Sequence, residues 1–298
     1  MAENDKTLDG IMAEIWREDK ASVYMVLDAA MNSEWPGQLW RVGRGKPEAV
    51  CLLQDAAGPE HLPAAPFLLP LREPDELCRY LVEACLKLPS GIFLVSDKPR
   101  LEVIEEAAAW LWPEVESGQR VYFRYYDPRV FTSLEHYARD NKKPLPAGSF
   151  SGAFWHDPFL ENIFQLKFEP PGQPFNRREP WRLEPDLEEW LMRSQLPHRI
   201  MDMLKNADSK LCGQYSRPDL FRKISSQVME ATDYRILELR DLMRFSHLSL
   251  LFPGFTKQPD IQASLIEYGR QGGVKKFNDL VESWPTDCLA PFRREEIL

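Results

Sequence analysis

Cysteine is scarce in this chain and has no metal-binding spacing. The five residues, Cys51, Cys78, Cys85, Cys212 and Cys288, are odd in number, and no pair forms a C-x-x-C motif. That excludes a zinc ribbon or a thioredoxin-like redox pair and points to reduced thiols. The five histidines, His61, His136, His156, His198 and His247, form no H-E-x-x-H and no other metal-ligand spacing. Glycine is sparse as well, at 15 residues. The only candidate phosphate loop, Gly43-Arg44-Gly45-Lys46-Pro47, is too short and has no Ser or Thr after its lysine. Gly148-Ser149-Phe150-Ser151-Gly152 approaches the nucleophile elbow of serine hydrolases, but Phe150 stands where the serine must be. No cofactor is expected from these motifs. Positive charge is in deficit, with a net charge of -9, which argues against nucleic acid because duplex binding depends on Lys and Arg against phosphate. No apolar run approaches membrane-spanning length, and Met1 to Lys20 lacks a signal-peptide core. The expectation is a cytoplasmic protein with no membrane insertion.

What is present is an ordinary globular composition, 44% hydrophobic and 28% charged over 298 residues, enough for one large domain or two modest ones. The first half alternates strand-like and helix-like segments. Strands are predicted at Ser22–Leu27, Ala49–Leu53, Ile92–Val95 and Arg120–Tyr126, with Pro66–Leu71 as an edge strand or extended segment. Helices are predicted at Glu73–Leu88, Pro99–Trp112 and Pro128–Asp140, each from an apolar stripe at helical spacing. Ile163–Phe168 reads as one further strand. The fold class expected is an α/β N-terminal lobe with a mixed, partly parallel sheet and flanking helices, followed by an all-α C-terminal lobe. The boundaries expected are 1–168 for the α/β lobe, 169–185 for a proline-rich linker and 186–298 for the helical lobe.

The segment with most chemical content is Val121-Tyr122-Phe123-Arg124-Tyr125-Tyr126-Asp127-Pro128-Arg129-Val130. It reads as a strand running into a helix, with Asp127 at the N-cap and Pro128 at the first helical position. Asp127 is explained by capping alone, with Arg124 and Arg129 holding its carboxylate or a nearby helix end. A direct contact to a partner is the alternative. Phe154-Trp155-His156-Asp157-Pro158 is an aromatic cluster followed by a second Asp-Pro helix-start signal. His156-Asp157 is the only adjacent His-Asp pair, and an enzyme with an unrecognised site around Asp127 and His156 is the competing functional reading. Trp110, Trp112, Trp190 and Trp284 fall in helical periods and read as core. Trp35, Trp40, Trp155 and Trp181 lie near loops, where an interface anchor is a fair alternative.

The first lobe resembles the family called domain of unknown function 4123, the adaptor or chaperone proteins of type VI secretion. The resemblance rests on Tyr24-Met25-Val26-Leu27-Asp28-Ala29-Ala30, Ala65-Pro66-Phe67-Leu68-Leu69-Pro70-Leu71, Gly91-Ile92-Phe93-Leu94-Val95-Ser96 and, most specifically, Phe123 to Val130. Trp155 lies where the family often places a tryptophan. The match covers about Ser22 to Asp157 and nothing beyond Pro170. It implies a non-enzymatic protein that binds a secreted toxic effector in the donor cytosol and helps load it onto the VgrG spike protein. Arg124, Tyr125, Tyr126, Asp127, Pro128, Arg129 and Trp155 are then motif residues with a structural or partner-binding role. A structural subunit of the secretion system with no effector is a further reading.

Overall fold

The computed structural model describes residues 12–13, 15–16, 22–32, 34–35, 37–38, 48–53, 64–71, 76–143, 145, 148–168, 181–272 and 277–284. The chain divides into two compact units, Met1–Met192 and Arg193–Leu298.

The first unit is built on one six-stranded sheet. Its strands are β1 (Ser22–Asp28), β2 (Val50–Cys51), β3 (Pro66–Leu71), β4 (Gly91–Ser96), β5 (Gly152–Asp157) and β6 (Asn162–Lys167), in the order β2-β3-β1-β4-β5-β6. Every neighbouring pair is antiparallel. The expectation of a mixed, partly parallel sheet is therefore corrected. The alternation of strands and helices is real, but it does not put successive strands side by side. β3 and β4, joined through helix α1 (Glu76–Lys87), run in the same direction, yet β1 lies between them and pairs antiparallel with both. This is a split β-α-β arrangement. The predicted strand at Arg120–Tyr126 does not form either. Residues 121–124 are irregular, and only the isolated bridges of Glu114 with Arg120 and Arg182 occur nearby.

β3 carries Pro66 and Pro70, which suggested an edge strand. It lies between β2 and β1, but β2 reaches only Leu68 and Phe67. The Pro70 end thus has no ladder partner on that side among the described residues, which is where proline's missing N–H is tolerated.

Strand alternation sends side chains to two separate cores. Val23, Met25, Leu27, Phe93, Val95 and Phe154 face one layer, filled by Cys78, Leu81, Val82 and Cys85 of α1 together with Met12, Ile15 and Trp35. Tyr24, Val26, Ile92, Leu94, Ala153 and Trp155 face the other. That second layer contains α2 (Arg100–Ala109), α3 (Pro128–Asn141) and α4 (Pro185–Ser194), which contribute Val103, Phe131, Leu134, Leu187 and Leu191. Leu187 and Leu191, assigned from sequence to the helical lobe, are buried with the first unit's sheet, and the unit boundary falls in the last turn of α4. Of the proline-rich stretch read as a linker, residues 169–180 lie outside the described residues.

β5 is a strand that sequence reading missed. Asp157-Pro158 starts no helix. Its carboxylate accepts from the Phe159 and Leu160 amides at 2.8 and 3.1 Å and closes the turn from β5 into β6. Phe150, in the elbow-like segment, is buried beside Trp110.

The described part of the second unit contains helices α5 (Leu196–Ala207), α6 (Ser209–Cys212), α7 (Arg217–Asp233), α8 (Leu239–Leu251), α9 (Pro259–Arg270) and α10 (Phe277–Ser283), with no strand. α5, α7 and α8 pack on one another. Ile200, Met201, Leu204, Leu220, Ile224, Leu242 and Phe245 are fully or almost fully buried. Asp208 caps α6 through the Leu211 amide, and its other oxygen meets His247 Nε2 of α8 at 3.1 Å. No described helix in either unit is long and apolar enough to cross a membrane.

Candidate functional site

The motif Arg124 to Arg129 occupies the turn between an irregular segment and α3. Asp127 adopts an extended backbone and caps the helix, its Oδ1 accepting from the Arg129 amide at 3.0 Å, with Pro128 at the first helical position. The Arg129 side chain folds back onto the same carboxylate, Nε to Oδ1 at 2.9 Å and Nη2 to Oδ2 at 2.5 Å. Asp127 is 4% exposed. Both its oxygens are thus held within the motif, as the capping interpretation requires. Removing the cap in Asp127→Ala is expected to cost about 1 kcal/mol through the lost N-cap, with a further loss from the broken charge-assisted bonds to Arg129. Thermal denaturation checks this. An unchanged melting point combined with abolished partner binding would instead make Asp127 an interface group.

Arg124 has a different partner from the one expected. Its guanidinium reaches the carboxylate of Asp28 at the end of β1. Asp28 is 1% exposed and also caps a short turn, accepting from the Ala30 amide at 3.0 Å. Burial pushes the Asp28 carboxyl above its usual range, and the neighbouring guanidinium offsets this only in part. The pair ties the sheet's central strand to the turn that starts α3. Sequence reading named Arg124 and missed Asp28. The available signal was a lone acid ending an apolar strand, since a buried carboxylate requires a cation or several donors.

The two motif tyrosines point into the protein. Tyr125 donates to the Ala107 carbonyl of α2 at 3.1 Å, and the Tyr126 hydroxyl lies 2.7 Å from that of Tyr122. Burial holds both motif phenols far above the ordinary tyrosine range, so they act as neutral hydrogen-bonding groups. Arg124 lies over the Tyr126 ring at 5.9 Å. What faces solvent is the outer rim: Tyr122 at 41% exposure, the Arg124 side chain at 40%, and half-buried Trp112, whose ring is 5.3 Å from that of Tyr122. Tyr, Trp and Arg are the residue types enriched where proteins bind one another.

Trp155 belongs to a different part of the same layer. It is 1% exposed, so it is core and not a loop anchor, and so is Trp35. Trp181 packs against Trp110 and Phe123, and Trp40 lies outside the described residues. Trp155 Nε1 donates to Thr132 Oγ1 of α3 at 2.8 Å. That hydroxyl also lies 2.9 Å from the Pro128 carbonyl and from Asp157 Oδ2. The network locks α3 onto β5 directly behind the motif.

His156 and Asp157, adjacent in sequence, diverge. His156 Nδ1 meets the Cys85 carbonyl of α1 at 3.2 Å, while Asp157 turns toward α3. Successive strand residues face opposite layers. His156 therefore lies in the α1 layer, and Asp127 opens a helix of the opposite layer. The two do not form one site. Among the described residues no group of three or more His, Cys, Asp or Glu side chains is placed to hold a metal ion. Cys51, Cys78, Cys85 and Cys212 form no disulfide, and burial pushes the Cys85 thiol up to about 12.

The geometry thus defines an interlocked motif with an aromatic and cationic rim. Residues 23–141, well under half of the chain, match the family described as Domain of unknown function (DUF4123). That match spans β1 through α3 and includes Asp28 and the whole Arg124–Arg129 motif. Comparison with curated proteins and with solved structures finds no match.

Proposed function

We propose that this protein is a type VI secretion adaptor or chaperone that binds a cognate toxic effector in the cytosol and helps load it onto the VgrG spike. The observation that carries this reading is the coincidence between the matched segment, residues 23–141, and the ion-paired motif that joins β1 to α3. A segment similar to the family as a unit is also the segment that builds this unit's central strands. The task assigned to the first unit is the shared one, docking to the secretion machinery through the rim of Trp112, Tyr122 and Arg124. Cargo recognition is assigned to the helical unit, where Met229 and Leu237 are exposed large apolar residues available as anchors. The chemistry required is binding alone, so the complex is expected to form without nucleotide or metal.

Co-expression with the product of a neighbouring effector gene, followed by gel filtration with and without chelator, tests the reading. A joint peak under both conditions is expected. Separate elution in both, for every neighbouring candidate, would overturn it.

A further inference from the structure

The sheet ends at β6 with no strand on its outer side among the described residues. β6 pairs with β5 in unbroken register, from Asp157 opposite Asn162 to Gly152 opposite Lys167. The Phe168 amide bonds inward to the Ser151 carbonyl, so by antiparallel alternation the amides and carbonyls of Ile163, Gln165 and Lys167 point outward. Native edge strands are commonly blunted by proline, a bulge or inward charge. β6 has none of these over Ile163-Phe164-Gln165-Leu166. Among the described residues, the Asn162 side chain covers one outward group, accepting from the Ile163 amide at 2.9 Å. Phe164 and Leu166 are half-buried against the core of the α3 layer, leaving apolar surface at the sheet's margin.

We propose that β6 pairs with β6 of a second copy of this chain, antiparallel about a two-fold axis perpendicular to the sheet. The occupant follows from charge. β6 is preceded by exposed Glu161, in the turn from β5 at positive φ, and ends in exposed Lys167. Setting Phe164 opposite its own copy keeps like faces together and satisfies the outward backbone groups of Ile163 and Gln165. The same register brings Lys167 of each chain to the turn of the other that carries Glu161, so the two ends of the strand are complementary in charge. An isologous contact of this kind closes at two copies and exposes no further edge at β6. The inference goes beyond the adaptor reading and is independent of it.

The test uses the full chain in sedimentation equilibrium without any partner. A dimer is expected. Gln165→Pro removes an outward amide where an edge strand tolerates proline, and is expected to give a folded monomer. Lys167→Glu alone is expected to weaken the dimer, and combining it with Glu161→Lys to restore it, since both groups are exposed and the fold does not depend on them. A wild-type monomer at every concentration would overturn the proposal, as would a dimer indifferent to Gln165→Pro. So would a monomer whose edge instead captures an extended segment of another protein.

Discussion

Arg124→Ala is expected to destabilise the first unit by about 2–3 kcal/mol, because it leaves a buried carboxylate without its cation. Breaking a fully buried pair costs about 3–5 kcal/mol. The smaller figure applies here because the Arg124 side chain is 40% exposed and water can approach, while Asp28 is not accessible. At about 2–4 °C per kcal/mol for a unit of this size, the melting point should fall visibly. The double variant Asp28→Asn with Arg124→Ala removes the orphaned charge and should recover part of the loss, which a double-mutant cycle measures. The effect also depends on pH. Burial sets the folded pKa of Asp28 above its unfolded value. Such a carboxyl contributes most to stability below the unfolded pKa, near pH 4, and that contribution is lost as pH rises through the folded value. Removing Arg124 raises the folded pKa further. The gap in melting point between wild type and Arg124→Ala should therefore be small near pH 4 and widen toward pH 7. A gap that narrows with rising pH would contradict the ion pair.

Gly91→Ala is expected to have a larger effect still, at least about 3 kcal/mol, with much of the protein becoming insoluble. Gly91 opens β4 opposite Leu27, at φ +154, and a Cβ there would lie 2.0 Å from the Val26 carbonyl oxygen. That oxygen is backbone of the central strand and cannot move without breaking the β1–β4 ladder. Gly118→Ala is the control. It also sits at positive φ, +78, but in open space, so it should cost only about 1 kcal/mol. Soluble yield and thermal denaturation of the two variants decide. Equal, mild losses would show that the approach of β4 to β1 at Gly91 is not essential.

These residues also show how far the sequence could be read. β1, β3, β4, α1, α2 and α3 were legible because each carries a strong period, as in Tyr24 to Leu27 or Leu77-Leu81-Cys85. Strand order was not legible. Nothing local records that β1 inserts between β3 and β4, because register is fixed by which faces the two helical layers bury and not by chain order. Arg120–Tyr126 has strand composition but no ladder partner. Its aromatic residues are drawn instead to Trp110, Trp112 and Trp181, an example of tertiary packing overriding propensity. β5 was missed because Asp-Pro serves both as a helix start and as a tight turn, and only the position of Asn162 across from Asp157 separates the two. The motif's capping half, Asp127 with Arg129, was readable from three consecutive residues. Its long-range half, Arg124 with Asp28, spans 96 residues and was not.

The central claim is that the chain delivers a particular effector. The most direct measurement is the amount of the cognate effector in the secreted fraction after deletion of this protein's gene, in cells whose secretion sheath still assembles. The adaptor reading predicts that this effector disappears from the secreted fraction, that effectors of other spikes remain, and that restoring the wild-type chain returns it. Secretion of the cognate effector at an unchanged level would contradict it.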